Sequence, residues 1–397
     1  MPVDFQQIFT KIKEIGAGAQ ERRERISKLR DDARHLLEAN AKDLDYLRLV
    51  VDRAKEADPG IRCAVPLNEP LDAHLPAPAP VMDATLIAAD GSQINPDRHA
   101  AVQFCLVNVG AITLRLNSGA SPGIFTESEL LYGDELETRF GTMTDGMVAL
   151  KRDLRERAAL EELAAQVQGP VVTFTDGPLE LWGARDGEEA ESYSDSVKAY
   201  LSVLSRLQER GVINAGYVDK PSADLVVRLL ELVEANQERP DNLREYHPLR
   251  GVSDRWLYGE KTRPMLGPGE RSAVFRIQSK SEKDYGGPLS LHFFYLNVGT
   301  DGHPWPVRVE IPRWVAEDTG KLNLLHAVLV DQCRMMGSKP YPYLLNRSHE
   351  IAVVTHAEKQ QIEQMLEMEI RRQGDDPDNP SNKQGGKDSL AAGRKRY

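Results

Sequence analysis

Two aspartates, Asp90 and Asp176, each follow an apolar run and stand directly before a glycine: ATLIAADGSQ and PVVTFTDGPLELWG. A buried strand that stops on aspartate and turns on glycine holds a carboxylate at a sheet edge with little freedom. Two such carboxylates, brought together by folding, repel unless something positive lies between them. Mg²⁺ or Mn²⁺ suits that place, being oxygen-seeking and partial to carboxylate and water ligands. A two-metal site of this kind activates a water and steadies the leaving oxygen of a phosphodiester, so metal-assisted hydrolysis is the chemistry to expect. The competing explanation is turn chemistry, in which Asp bonds its own backbone and Gly supplies positive φ. For an isolated Asp-Gly that explanation wins. Here both aspartates follow buried-strand patterns, whereas Asp145-Gly146 and Asp301-Gly302 sit in polar surroundings and read as turns.

Such sites need more than two acidic ligands. The helical segment before Asp176 offers Glu156, Glu161 and Glu162. Glu156 stands among Arg152, Arg155 and Arg157, and a solvated salt-bridge face explains it as well as a ligand role does. His349, in YPYLLNRSHEIAVV, is by default a surface or half-buried residue near a helix start. Functionally it would be a metal ligand or a proton carrier. Tyr343 lies six residues earlier, within two helical turns but on another face. Lys220, in YVDKPSADLVV, falls between a strand and a helix, where a helix N-terminus would help it meet phosphate; a solvent lysine in a turn is an equal reading. Trp182 reads as core rather than as a base-stacking platform. The sequence has no GxxxxGK[ST] loop, so ATP hydrolysis is not expected, and no GxSxG, HExxH or zinc-spaced Cys/His pattern.

The elements that must position these groups alternate between helix and strand. Residues 1 to about 57 read as helix, with a stripe through Ile26, Leu29, Ala33, Leu36, Leu44, Leu47, Val51 and Ala54, packed on its own domain or pairing with another subunit. Residues 66–82 are a proline-rich linker. TLIAAD is a strand, AVQFCLVNVGAITLRL two strands with a turn at Asn-Val-Gly, and TESELLYGDELETRF irregular or partly helical. MTDGMVALKRDLRERAALEELAAQV is a helix and PVVTFTD a buried strand. DSVKAYLSVLSRLQERG is a helix stopping at Gly211. VINAGYVDKP is a strand, and SADLVVRLLELVEAN a helix capped by Ser222. AVFRIQ, LSLHFFYLNVG and PVRVEIP are strands, followed by helix LNLLHAVLVDQCRMM and a last helix from about Tyr343 to Arg371. This order predicts an α/β protein with a central sheet. The tail 373–397 has a disordered composition.

The 397 residues are 41% hydrophobic and 28% charged, ordinary for a globular chain. The net charge of -11 provides no global basic field, so a nucleic-acid partner needs a local basic groove. Cys63, Cys105 and Cys333 are scattered and read as reduced thiols of a cytoplasmic protein. No segment is apolar and long enough to span a bilayer, so no membrane partner is expected.

IAADGSQ, RDLRERAAL leading into VVTFTDGPLELWG, YVDKPSADLVVRLLEL and YPYLLNRSHEIAVV, taken in this order over roughly residues 80 to 360, resemble the NurA family of DNA-end-processing nucleases. DGPLELW and DKPSAD resemble its bacterial branch. The resemblance implies an RNase H-like mixed central sheet flanked by helices, here with a helical N-terminal arm (1–65), a nuclease domain over 83–372 and acids on two central strands. It implies an Mn²⁺ (or Mg²⁺) cofactor, two ions, single-strand endonuclease and 5′-to-3′ exonuclease activity, a homodimer, and work with a hexameric HerA translocase in double-strand break repair. By motif, Asp90 and Asp176 are the strand acids, Glu156 the helix glutamate with Glu161 as second choice, and Tyr343 and His349 the late pair. The second corner departs from the family's Asp-Gly-Ser, and Pro178 removes one backbone donor there. Phosphate contacts would come from Arg115, Arg152, Lys220 and Arg347, or from the partner's channel. The expectation is therefore a metal-dependent DNA nuclease. The alternatives are a non-catalytic adaptor that guides DNA for a HerA-like ATPase, and a phosphatase or RNA-directed nuclease on the same metal chemistry.

Overall fold

The structure is a computed structural model that describes residues 4–81, 83–139, 141–184 and 187–375. Most of the 373–397 tail lies outside the described residues. In chain order come α1 (Phe5–Ala17), α2 (Ala19–Asn40), α3 (Leu44–Ala57), β1 (Cys63–Pro66), β2 (Thr85–Ile94), β3 (Phe104–Arg115), β4 (Gly123–Tyr132), the short β5 (Glu137–Thr138) and β6 (Gly141–Thr142), α4 (Asp145–Ala164), β7 (Val171–Asp176) and α5 (Ala190–Glu209). Then follow β8 (Ile213–Val218), α6 (Leu225–Glu238), α7 (Asp254–Tyr258), β9 (Phe275–Gln278), β10 (Leu291–Asn297), β11 (Pro306–Pro312), α8 (Arg313–Ala316), α9 (Thr319–Arg334), α10 (Tyr343–Ala352) and α11 (His356–Arg372). The chain forms two compact units, each built from two separated stretches: residues up to Pro80 with Tyr217–Pro340, and Val81–Gly216 with the chain from Tyr341 onward.

In the first unit β1, β9, β10 and β11 pair in that order, all antiparallel. The N-terminal segment is three helices rather than one. Ala33, Leu47, Val51 and Ala54 of the expected stripe are buried, with Leu37 rather than Leu36 completing it, so α2 and α3 pack on their own unit. Helix α1 buries no residue and exposes Phe5, Ile8, Phe9, Ile12 and Ile15. The proline-rich stretch docks on the unit: the Leu71 amide donates to the Ala41 carbonyl at 2.9 Å, and Arg271 donates to both oxygens of Glu69 at 2.9 and 2.8 Å. Ser222 is not the cap of α6. The buried carboxylate of Asp254 does that work, accepting the Val226 and Val227 amides at 2.9 and 2.8 Å and the Tyr295 hydroxyl at 2.7 Å.

The second unit holds the order β4-β3-β2-β7. β2, β3 and β4 form an antiparallel meander; β7, reached through α4, lies parallel to β2. This is the mixed sheet flanked by helices of the RNase H-like expectation. Alternate residues of a strand face opposite sides. A side chain on Gly91 would meet α4, and one on Gly110 would meet α10, so these helices cover opposite faces.

Several local expectations fail here. Asn-Val-Gly is not a turn: β3 runs unbroken from Phe104 to Arg115. Gly110 is needed because a Cβ there would lie 2.6 Å from the Ala352 nitrogen. Buried Asn108 donates to the Ala352 carbonyl at 2.7 Å and accepts from the Ser128 hydroxyl at 2.6 Å. The segment expected to be irregular or partly helical supplies most of β4, an edge strand whose inward positions include Glu127 and Glu129, and then a 3-10 turn at Gly133–Leu136. The last helix is two, broken at Val353–Thr355. Ser92 pins the break by donating to the Ala352 carbonyl and accepting the Val354 amide, and a Thr355–Glu358 capping box restarts the helix. Asp145-Gly146 is no free turn but the first turn of α4, capped by Thr144. Asp301-Gly302 is a turn, with Gly302 at φ +74°.

Candidate active site

The last parallel pair between β2 and β7 is Ala89 with Thr175. One residue further on each strand stand Asp90 and Asp176. Strands in a sheet lie about 4.8 Å apart, so the two carboxylates emerge side by side where β7 ends. In sheets with parallel strands, this carboxyl end is the usual place for a ligand. The two aspartates arrive differently. Gly177 takes φ +90° and turns the chain after Asp176. Asp90 is not at a corner: β2 continues to Ile94, paired with β3 throughout. Gly91 serves close approach instead, because a Cβ there would lie 2.5 Å from Glu156 Oε1 and 2.6 Å from Arg152 Cγ.

A cleft of about 390 Å³ opens at this point, walled by Asp90, Gly91, Arg152, Asp153, Glu156, Arg157, Asp176, Pro178, Glu180, Trp182 and His349. Asp90 Oδ2 lies 2.6 Å from His349 Nδ1, and its Oδ1 accepts the Gly91 amide at 2.9 Å. If the carboxylate accepts from Nδ1, the Nε2 of His349 is the unprotonated nitrogen, able to bind a cation or take a proton. Glu156 is only 5% exposed, so it does not belong to a solvated salt-bridge face. Its Oε1 meets Arg152 Nε at 3.2 Å. Burial pushes its carboxyl up to about 8; Arg157 and Arg152 oppose the rise, and Asp153 and Asp90 add to it. Buried Arg157 acts as a brace, donating to the carbonyls of Asp153 and Pro178 at 2.8 and 3.0 Å.

The other expected residues fall in different places. Arg152 lines the cleft but also donates to Asp153 at 2.6 Å. Glu161, the second choice for the helix acid, is held by Arg206 and Arg210 of α5 at 3.0 and 3.7 Å. Tyr343 opens α10, and Arg347 on the same helix pairs with Glu350. Arg115 ends β3 opposite Thr85 and pairs with Asp83 at 3.4 Å. Lys220 is an exposed residue of the first unit. The cleft residues not singled out from sequence are Asp153, Arg157 and Glu180. Trp182, read as core, is instead 59% exposed in the wall. Glu180, between buried Leu179 and Leu181, is itself buried, so no two-residue alternation in the sequence marks Trp182 as outward.

The donors suit a hard divalent cation. They are carboxylates with one imidazole, and one carboxyl is crowded by like charge that a cation would relieve. Among the described residues, no three His, Cys, Asp or Glu side chains form a ready-made metal cluster.

The fold and cleft thus define an α/β protein with paired strand carboxylates at the carboxyl end of a parallel strand pair. The NurA domain model matches residues 84–354, and the chain belongs to the NurA family. Among solved structures, the NurA nuclease from Sulfolobus solfataricus aligns with TM-score 0.51 and 10% identity, over 93% of this chain and 98% of that one. The catalytic domain of human Endonuclease V aligns at TM-score 0.29 and 14% identity, over 71% and 83%, too loosely to carry weight. No curated protein matches the sequence.

Proposed function

We propose that this protein is a metal-dependent DNA nuclease. The observation that carries the reading is the placing of Asp90, Asp176, Glu156 and His349 on the walls of one cleft. Membership of the NurA family supports it, as does the nuclease with which the fold aligns. Asp90 and Asp176 would hold Mn²⁺ or Mg²⁺ between adjacent strands, with Glu156 and His349 completing the donor set. Two ions held there would supply an activated water and charge to stabilise the departing 3′-oxygen. Asp90 orients the His349 ring, so that Nε2 serves as ligand or proton carrier. Arg157 holds the Pro178 carbonyl and so fixes the turn after Asp176. Arg152 supplies the cleft's exposed positive charge toward phosphate; Arg347, Tyr343, Arg115 and Lys220 are the further candidates for positioning DNA.

The finer reading is single-strand endonuclease and 5′-to-3′ exonuclease activity in cytoplasmic end resection for double-strand break repair. It includes a homodimer and a HerA-type hexameric translocase as partner. The exposed apolar face of α1 suits association with protein. Among the described residues no helix is long and apolar enough to cross a membrane.

The test is cleavage of labelled single-stranded and blunt duplex DNA in Mn²⁺, Mg²⁺ or EDTA, with wild type and Asp90→Ala side by side. Metal-dependent cutting that disappears in the variant is the expected result. Inactivity of wild type with every metal, and again with a HerA-type ATPase and ATP, would replace this reading with the adaptor.

A further inference from the structure

The cleft contains an aromatic group that the metal chemistry does not use. Trp182 exposes more than half its surface in a wall shared with carboxylates, guanidinium groups, His349, Gly91 and Pro178. This exposure does not come from a loose loop. Leu179 and Leu181 on either side of Glu180 are fully buried. The Pro178 carbonyl accepts from Arg157 at 3.0 Å, and the Leu181 carbonyl accepts from the Tyr193 hydroxyl at 3.2 Å. Gly183 lets the Tyr193 ring approach to 2.5 Å from where a Cβ would stand. The backbone on both sides of Trp182 is therefore fastened, and its indole lines the cleft.

The charge of the cleft gives that indole a purpose. Asp90, Asp153, Glu156, Asp176 and Glu180 outnumber Arg152 and Arg157, and Arg157 is buried as a brace. Phosphate attraction from the protein's own side chains is therefore weak beside the strand carboxylates. Base–aromatic stacking needs no charge and accepts any base. It does need a free π-face, which a base inside a duplex spends on its neighbours.

We propose that Trp182 is a nucleobase subsite. It stacks on an unpaired base next to the phosphate that a cation held by Asp90 and Asp176 would bind, and it favours single-stranded DNA or frayed ends over paired DNA. This rests on the nuclease reading for its catalytic arm but not for its binding arm.

Two measurements test it. In the first, Asp176→Asn protein in EDTA is titrated with a short oligothymidylate and with an abasic oligomer of the same length, reading tryptophan emission. Quenching by oligothymidylate, absent with the abasic chain and lost in Trp182→Phe/Asp176→Asn, is expected. Equal quenching by both oligomers, or quenching that survives Trp182→Phe, overturns the subsite. In the second, Trp182→Ala and Trp182→Phe are compared with wild type on single-stranded and blunt duplex DNA at saturating Mn²⁺. Trp182→Ala should raise KM for single strands about tenfold, as the loss of one stacked base implies, with kcat little changed. Trp182→Phe should restore most of the loss. Parallel losses on both substrates, or a loss confined to kcat, would sink the proposal while leaving the nuclease standing. Base-dependent quenching without cleavage by wild type would retain the subsite and remove the nuclease.

Discussion

Two buried carboxylates in this molecule live under opposite arrangements. Asp254, in the first unit, is enclosed by donors: two backbone amides at the start of α6 and the Tyr295 hydroxyl. Nearby Glu231 is similar, receiving Arg228 at 2.7 Å and the Leu249 amide at 3.1 Å. Glu156, in the second unit, is almost as buried, but it faces Arg152 and a cluster of other acids across an open cleft. Its carboxyl is pushed up to about 8, that of Asp254 only to about 6, in both cases chiefly by burial. A carboxylate surrounded by donors is committed to the fold. One that is buried with few donors, beside acids as well as arginines, costs stability when ionised, and such groups mark functional sites.

This contrast predicts which substitutions hurt what. The largest effect belongs to Asp176→Asn, which should reduce metal-dependent cleavage more than about 100-fold, since even the outer partners of metal ligands carry about 10–100-fold. Its melting temperature should stay level, because the amide keeps the shape of the side chain at an exposed position. A variant that melted early would put Asp176 with the structural carboxylates. Asp254→Ala should do the reverse and cost about 2–4 kcal/mol by leaving two α6 amides and a hydroxyl without their acceptor. Urea unfolding would measure this, while cleavage per folded molecule stays near wild type.

The two strand glycines divide in the same way. Gly110→Ala sets a methyl against the backbone of α10 and should cost about 1–3 kcal/mol of stability. Gly91→Ala meets side chains of Glu156 and Arg152 that can shift, so it should lower cleavage more than it lowers melting temperature. If the two alanine variants behaved alike, the distinction between packing and site geometry would collapse.

The smallest effect is a pH slope. The folded state holds the proton of Asp254 up to about 6, above the ordinary aspartate value of 3.8. Between those values the native state binds more protons than the unfolded chain, so this group's contribution falls as pH rises from about 4 to about 6 and is flat above. Asp254→Asn should show less of that slope in melting curves taken across the window.

Much of the site was readable because its strands are locally self-evident. TLIAAD and PVVTFTD are apolar and end in aspartate, and those aspartates prove to be neighbours. What misled were glycines and polar residues whose reason lies far along the chain. Asn-Val-Gly looks like a turn locally, yet it is strand because Ala352 packs on Gly110. Ser222 looks like a cap, yet Asp254 does the capping. Glu156 looks solvated by its arginine neighbours, but Arg157 turns inward to brace Pro178. The two discontinuous units have no linear signature, because several contacts that fasten residues 66–80 are made with residues some two hundred positions later.

The second unit receives α10 late. Asp90 and His349 are 259 positions apart, and α10 is made only after the whole stretch Tyr217–Pro340 has been synthesised. On a ribosome, the strands that carry both aspartates and the helix that carries Glu156 emerge well before their imidazole. Until then the β3 surface around Gly110 and Asn108 has no lid. A chain released early would carry three of the four cleft donors but not the group that orients on Asp90. Order of synthesis thus acts as a timer, delaying a complete donor set until most of the chain has been made.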